Sequence, residues 1–264
     1  MPRARPAAVA GTFYPADAHR LRDQLDEMMA EASPPPSAAP RVPTAIIAPH
    51  AGYIYSGPIA ASAFRTLSVD ASVFERVVVI GPSHFVPFRG IALPDADLMV
   101  TPLGSVELDS AGCKLVGRLP QVVVADEPHR REHAVEVELP FLQTVLGDFS
   151  IVPLVTGAVD AEEVAEVLEV LWDERTLVVV SSDLSHFYDY DTARQLDRAT
   201  AEAIVGLRPD DLDEGSACGR LAVQGLLLAA SGRDLDVSLL DLRSSGDTAG
   251  PRGEVVGYGA FRVA

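Results

Sequence analysis

Short apolar runs recur along this chain, and each stops abruptly at polar or turn-forming residues. "TAIIA" (44–48) runs into "PHAGY", "RVVVI" (76–80) into "GPSH", and "TLVVV" into "SSDLSH". Brief apolar runs bounded in this way predict buried strands. Strands are expected at 44–48, 76–80, 121–124, 150–155, 176–181, 237–242 and 254–263. Between them, helical spacing of apolar positions predicts helices near 57–67, 109–118, 133–147, 160–172, 190–206 and 217–231. A further helix is expected at 16–31, with Leu21, Leu25 and Met28 or Met29 on one side. "SPPPSAAP" (33–40) should stop it and act as a stiff connector, because proline cannot donate into a helix. Wholly apolar strands suit a sheet covered on both faces. Alternating strand and helix therefore predicts an α/β fold, a central largely parallel or mixed sheet flanked by helices on both faces. No repeat, second linker or charge block divides the chain, so one domain is expected over residues 1–264.

Composition narrows the partners. Hydrophobic residues make up 48% of the 264, which places the chain among globular proteins. A net charge of −17, with 38 acidic against 21 basic residues, argues against nucleic acid and anionic membranes. No apolar run approaches the roughly 20 residues that span a bilayer. The opening "MPRARPAAVAGTFYP" lacks the apolar stretch of a signal peptide, so a cytoplasmic location is expected. In that setting Cys113 and Cys218 are expected as free thiols.

Open α/β sheets bind ligands beyond the carboxyl ends of their strands. His50, His84, Asp183 and His186 all fall there, among Pro49, Gly52, Gly81, Pro82, Ser83 and Ser182. One such histidine is ordinarily structural, but three at equivalent strand ends point to a metal site or a catalytic cluster. Cys218, in "SACGR", stands at an expected helix start, where unpaired N–H groups favour a thiolate that can bind metal or attack an electrophile. The plainer role is a small buried hydrophobe, and Cys113 is assigned that role. His133 stands in "DEPHRREHAVEVELPF", within reach of the pocket, beside Glu132, Glu136 and Glu138. Acids at an expected helix start complement its dipole, and that is the role first assigned to these three. His19 and His129 are expected on the surface. Nucleophile-elbow, dinucleotide-binding, phosphate-loop and zinc-protease motifs are all missing.

The blocks "AGTFYP", "IIAPHAGYIYSG", "VIGPSHFVPFRGIAL", "TPLGSVELD", "EHAVEVELPFLQ", "IVPLVTG", "VVSSDLSHF" and "ACGRLAV" occur in this order, and "GYGAF" closes the series. Together they resemble the Memo family, whose prokaryotic members are called AmmeMemoRadiSam system protein B. That resemblance implies a fold similar to class III extradiol dioxygenases, enzymes that use non-haem Fe(II). It further implies metal ligands at His50, His84 and Cys218, and catalytic or pocket-lining roles for His186, Asp183 and His133. Fe(II) is the metal implied first, with Cu or Zn as substitutes, since a thiolate favours softer metals than a carboxylate does. His186 would be the acid/base group, Asp183 would orient it or hold a metal-bound water, and Tyr53, Tyr55 and Phe85 would shape the substrate face. The implied activity is that of a non-haem iron oxidoreductase. The alternatives are a non-catalytic binding module, partnered by radical-SAM and AMMECR-type proteins, and nucleophilic catalysis by Cys218.

Overall fold

The computed structural model describes residues 2–32, 42–69 and 73–264; the proline-rich stretch at 33–40 lies outside the described residues. The first half runs β1 (Ala4–Arg5), α1 (Ala18–Glu31), β2 (Ala45–Ala48), α2 (Tyr53–Phe64), β3 (Arg76–Pro82), β4 (Ile91–Leu93), β5 (Leu98–Thr101), β6 (Gly104–Leu108), α3 (Ser110–Val116) and β7 (Val122–Val124). The second continues with α4 (Glu127–Arg130), α5 (Leu139–Val145), β8 (Ser150–Thr156), α6 (Ala161–Leu171), β9 (Thr176–Ser181), β10 (His186–Tyr188), α7 (Tyr190–Val205), α8 (Arg220–Ser231), β11 (Val237–Ser244) and β12 (Val255–Val263).

Four parallel strands, in the order β8–β3–β9–β2, form the centre of one mixed sheet. Val78 of β3 lies beside Val152 of β8 on one flank and Val178 of β9 on the other. β12 runs antiparallel between β2 and β11, with Phe261 opposite Ile47. Short strands extend the other side, β6 pairing with β8, β5 with β6, and β1 with β5.

Side chains alternate across a strand, so each central run supplies both faces. Ile46, Val77, Val79, Leu177 and Val179 pack with Tyr53, Phe64 and Phe141 under α1, α2 and α5. Ile47, Val78, Ile80, Val152 and Val180 pack instead with Val164, Leu168, Val223 and Leu227 of α6 and α8. Continuous apolar strands are thus explained by two covered faces, as expected for an α/β fold. Side-chain caps fix several helix starts: Asp17 accepts from the backbone of His19 and Arg20, and Asp109 from that of Ala111 and Gly112.

One helix expected from the pattern is broken. In place of a continuous 133–147 helix there is α4, a loop, a 3-10 turn at Glu136–Glu138, and α5 from Leu139. Glu132, Glu136 and Glu138 do not decorate a solvated helix start, because all three are buried. Burial of three carboxyls demands three sets of partners, and meeting that demand is what shapes this segment. Glu136 accepts from Arg5, from the backbone N–H groups of Ala8 and Val9, and from Tyr14 Oη at 2.5 Å. It thereby ties the first residues of the chain to the loop. His129 is also buried rather than on the surface, with its Nε2 2.9 Å from the Ala92 carbonyl. His19 is exposed, as expected.

Candidate metal centre

Because β2, β3 and β9 are parallel, their carboxyl ends share one edge of the sheet. Two residues past β2 stands His50, two past β3 His84, and two past β9 Asp183. The loop between α4 and α5 brings His133 over the same edge. The three imidazoles pack against one another: ring centroids are 5.2 Å apart for His50–His84, 5.4 Å for His50–His133 and 4.6 Å for His84–His133. One nitrogen from each lies within 4.8 Å of the others, a spacing a metal ion can bridge. His50 is the most deeply buried of the three and His84 the most open.

Each ring is held from behind. Glu132 accepts from the His84 backbone N–H (2.7 Å), and its Oε1 lies 2.8 Å from His84 Nδ1. The backbone N–H groups of His133 and Ala134 donate to the same Oε1 at 2.8 and 3.0 Å. Burial opposes charge on Glu132, but the hydrogen bonds and charge of His84, with the Ala134 N–H, outweigh it and hold the carboxyl down at about 2. An acceptor this strong keeps the His84 proton on Nδ1 and turns Nε2 outward as a lone pair, the carboxylate–histidine arrangement typical behind metal ligands. His50 Nδ1 is 2.8 Å from Ser181 Oγ, and its backbone N–H donates to Asp183 Oδ1 at 2.8 Å. His133 Nδ1 is buried and makes no hydrogen bond. Its ring rests on Phe13, with centroids 4.7 Å apart.

Burial, followed by the neighbouring imidazoles, pushes His50 down to about 3 and His133 to about 4. Both rings are therefore neutral at physiological pH, the form that binds metal. Burial raises the Asp183 carboxyl, while the charge of His186 opposes that shift.

Cys218 lies two residues before α8, with Sγ 3.3 Å from His50 Nε2, and the Asp183 backbone N–H donates to that sulfur at 3.3 Å. The sequence expectation of a thiolate at a helix start is corrected here. Burial, and after it the Asp183 charge, pushes the Cys218 thiol well above its ordinary value. Desolvation and a neighbouring carboxylate outweigh the partial charge of a helix end. His186 stands one step further out, its Nδ1 2.7 Å from the Leu184 carbonyl.

His50, His84 and His133 thus form one compact set of donors, with Cys218 Sγ beside His50 and His186 outside that set. What the sequence pattern did not reveal is the backing: Glu132, Glu138 and Ser181. Their signal was the spacing Glu132, Glu136, Glu138 inside an otherwise apolar segment, read as helix-start chemistry.

The family model for Memo-like proteins matches residues 5–262. The chain belongs to the Memo-like family. A MEMO1 family protein of Thermotoga maritima is 36% identical, over 96% of this chain and 97% of its own. One from Methanopyrus kandleri is 34% identical, over 97% and 98%. Among solved structures, an uncharacterized protein of Escherichia coli shares the fold, with a TM-score of 0.51 at 15% identity, covering 83% of this chain and 99% of that one. These Memo-like relatives match along nearly the whole chain, so the residues behind the three histidines lie within the matched region. Among the described residues, no helix is long and apolar enough to cross a membrane.

Proposed function

We propose that the strand-end pocket binds a transition metal, Fe(II) first with Cu or Zn as alternatives, and serves oxidoreductase chemistry. The observation that carries this reading is the set of three imidazoles whose donor atoms lie within 4.8 Å of one another. His133 Nδ1 makes no hydrogen bond, although Glu132 Oε1 lies 3.3 Å from it. His50, His84 and His133 would hold the ion, and Cys218 would add a soft donor from the His50 side. Imidazole with thiolate suits Fe, Cu or Zn and disfavours Mg or Ca. Bound iron would supply redox and Lewis-acid chemistry there. His186, its Nδ1 engaged by Leu184, presents Nε2 as the group that gives or takes a substrate proton. Asp183 holds the His50 backbone in place.

Elemental analysis of protein purified anaerobically without chelator tests the reading. Near-stoichiometric metal is expected in the wild type, a loss of most of it in His84→Ala and His133→Ala, and weaker retention of all three metals in Cys218→Ser. A wild type that takes up none of the three metals would end the proposal.

A second reading follows from the pocket's surroundings. Ile54 at the start of α2, Phe85 next to His84 and Phe187 of β10 next to His186 are 60%, 47% and 71% exposed. Exposed aromatic and aliphatic side chains of this kind suit a protein partner, such as a radical-SAM or AMMECR-type protein acting beside a non-catalytic module. Partner binding that is unchanged by Phe187→Ser would exclude it.

A further inference from the structure

Glu138 has no surface at all, and its Oε2 has no hydrogen-bond partner, yet its Oε1 lies 2.8 Å from Ser181 Oγ. Ser181 Oγ also lies 2.6 Å from the Ala134 carbonyl and 2.8 Å from His50 Nδ1. A hydroxyl has one hydrogen and two lone pairs to meet these three neighbours. The Ala134 carbonyl can only accept, so the shortest contact takes the hydroxyl hydrogen. The other two neighbours must then donate: His50 through Nδ1–H and Glu138 through a carboxyl O–H. Any other assignment leaves two oxygen lone pairs facing each other at 2.6 Å inside the core, or an ionised carboxylate with an unsolvated oxygen.

We propose that Glu138 is a positioning residue of the metal centre: from the core it fixes the Ser181 hydroxyl, and through it locks the His50 ring with its proton on Nδ1 and its lone pair on Nε2. Burial raises the Glu138 carboxyl well above its ordinary value, in agreement with a neutral acid. The two backing carboxyls therefore act oppositely. Glu132 holds His84 as a charged acceptor, and Glu138 holds His50 as a neutral donor acting through a serine. With Nδ1–H pinned, Nε2 points toward Cys218 and carries the pair a cation needs. The lock concerns the same site as the metal reading, but the ring state it predicts exists without metal.

The experiment is long-range 15N–1H correlation of the His50 ring in metal-free protein at neutral pH, followed by Fe(II) titration under anaerobic conditions. Wild type should show a single Nδ1–H tautomer, and Glu138→Gln should keep it, because an amide can still donate to Ser181. Glu138→Leu and Ser181→Ala should mix the tautomers and weaken Fe(II) binding by about tenfold or more, the usual cost of losing an outer partner. An Nε2–H tautomer in the wild type overturns the proposal, and that measurement stands even if Glu138→Leu does not fold. So does a Glu138→Leu variant that keeps both the tautomer and the affinity, which would reduce Glu138 to packing. A wild type that shows the tautomer but binds no Fe(II) refutes the metal reading and leaves the lock intact.

Discussion

Cys218 shows how one residue changes character with its surroundings. Its sulfur faces His50 Nε2 and the Asp183 N–H, inside a wall that disfavours the anion. Iodoacetamide should therefore label Cys218 slowly at neutral pH, no faster than Cys113, whose thiol burial pushes up to about 11. Peptide mass analysis over time checks this, and rapid labelling of Cys218 alone would restore the thiolate. His129 offers a pH test. Burial lowers it to about 4, against an ordinary value near 6.5, with the Ala92 hydrogen bond opposing that shift. As pH falls below about 6.5 the unfolded chain binds a proton that the folded chain refuses, so stability is lost between about 6.5 and 4. The contribution is roughly 3 kcal/mol at most, at 1.36 kcal/mol per pH unit. The stability gap between wild type and His129→Gln should narrow over that range in urea unfolding, because glutamine can keep the Ala92 bond without titrating. An unchanged gap would mean that His129 charges freely. His50, His84, Asp183 and Cys218 were legible in the sequence because each directly follows an apolar run or precedes a helical one. Glu132, Glu138 and Ser181 were not, since their work depends on contacts from 43 to 131 residues away.

At the scale of elements, the site depends on α8 starting close against β9. A Cβ on Gly219 would meet Ser182 Cβ at 2.7 Å and the Ser181 carbonyl at 2.8 Å. Neither can yield, because Ser181 ends a strand buried on both faces. The Gly219 N–H also donates to Ser182 Oγ at 2.9 Å. Gly219→Ala should push the Cys218 turn off the sheet edge, at a cost of about 1–3 kcal/mol. Denaturant midpoints measure the cost, and Fe(II) affinity should fall further than in a surface glycine control such as Gly253→Ala, where the added atom meets nothing within 4 Å. Central strands and amphipathic helices could be read from periodicity alone. β1, β4, β5, β6 and β10 could not, being two to five residues long. The 133–147 segment misled because its buried glutamates mimic the acids of a helix start.

Across the whole molecule, the −17 charge is carried on a domain-sized surface with few compensating bases. Self-repulsion of like charge destabilises a compact state, and salt screens it within about 10 Å at 0.1 M. Melting temperature should therefore rise as sodium chloride increases from about 10 mM to 150 mM. A fall would mean that exposed pairs such as Arg175–Glu75 matter more than the net field.

The last strand in chain order, β12, is not an edge. It sits between β2 and β11 and reaches β10 as well, so Phe261 closes the sheet against Ile47 from the far end of the sequence. During synthesis, then, β2 has no neighbour on that side until the chain has been made as far as Val255–Val263. A product cut short by a premature stop would expose the wholly apolar flank of β2 as a template for other chains. Cells making this protein have reason to keep chaperones on the nascent chain until β12 arrives.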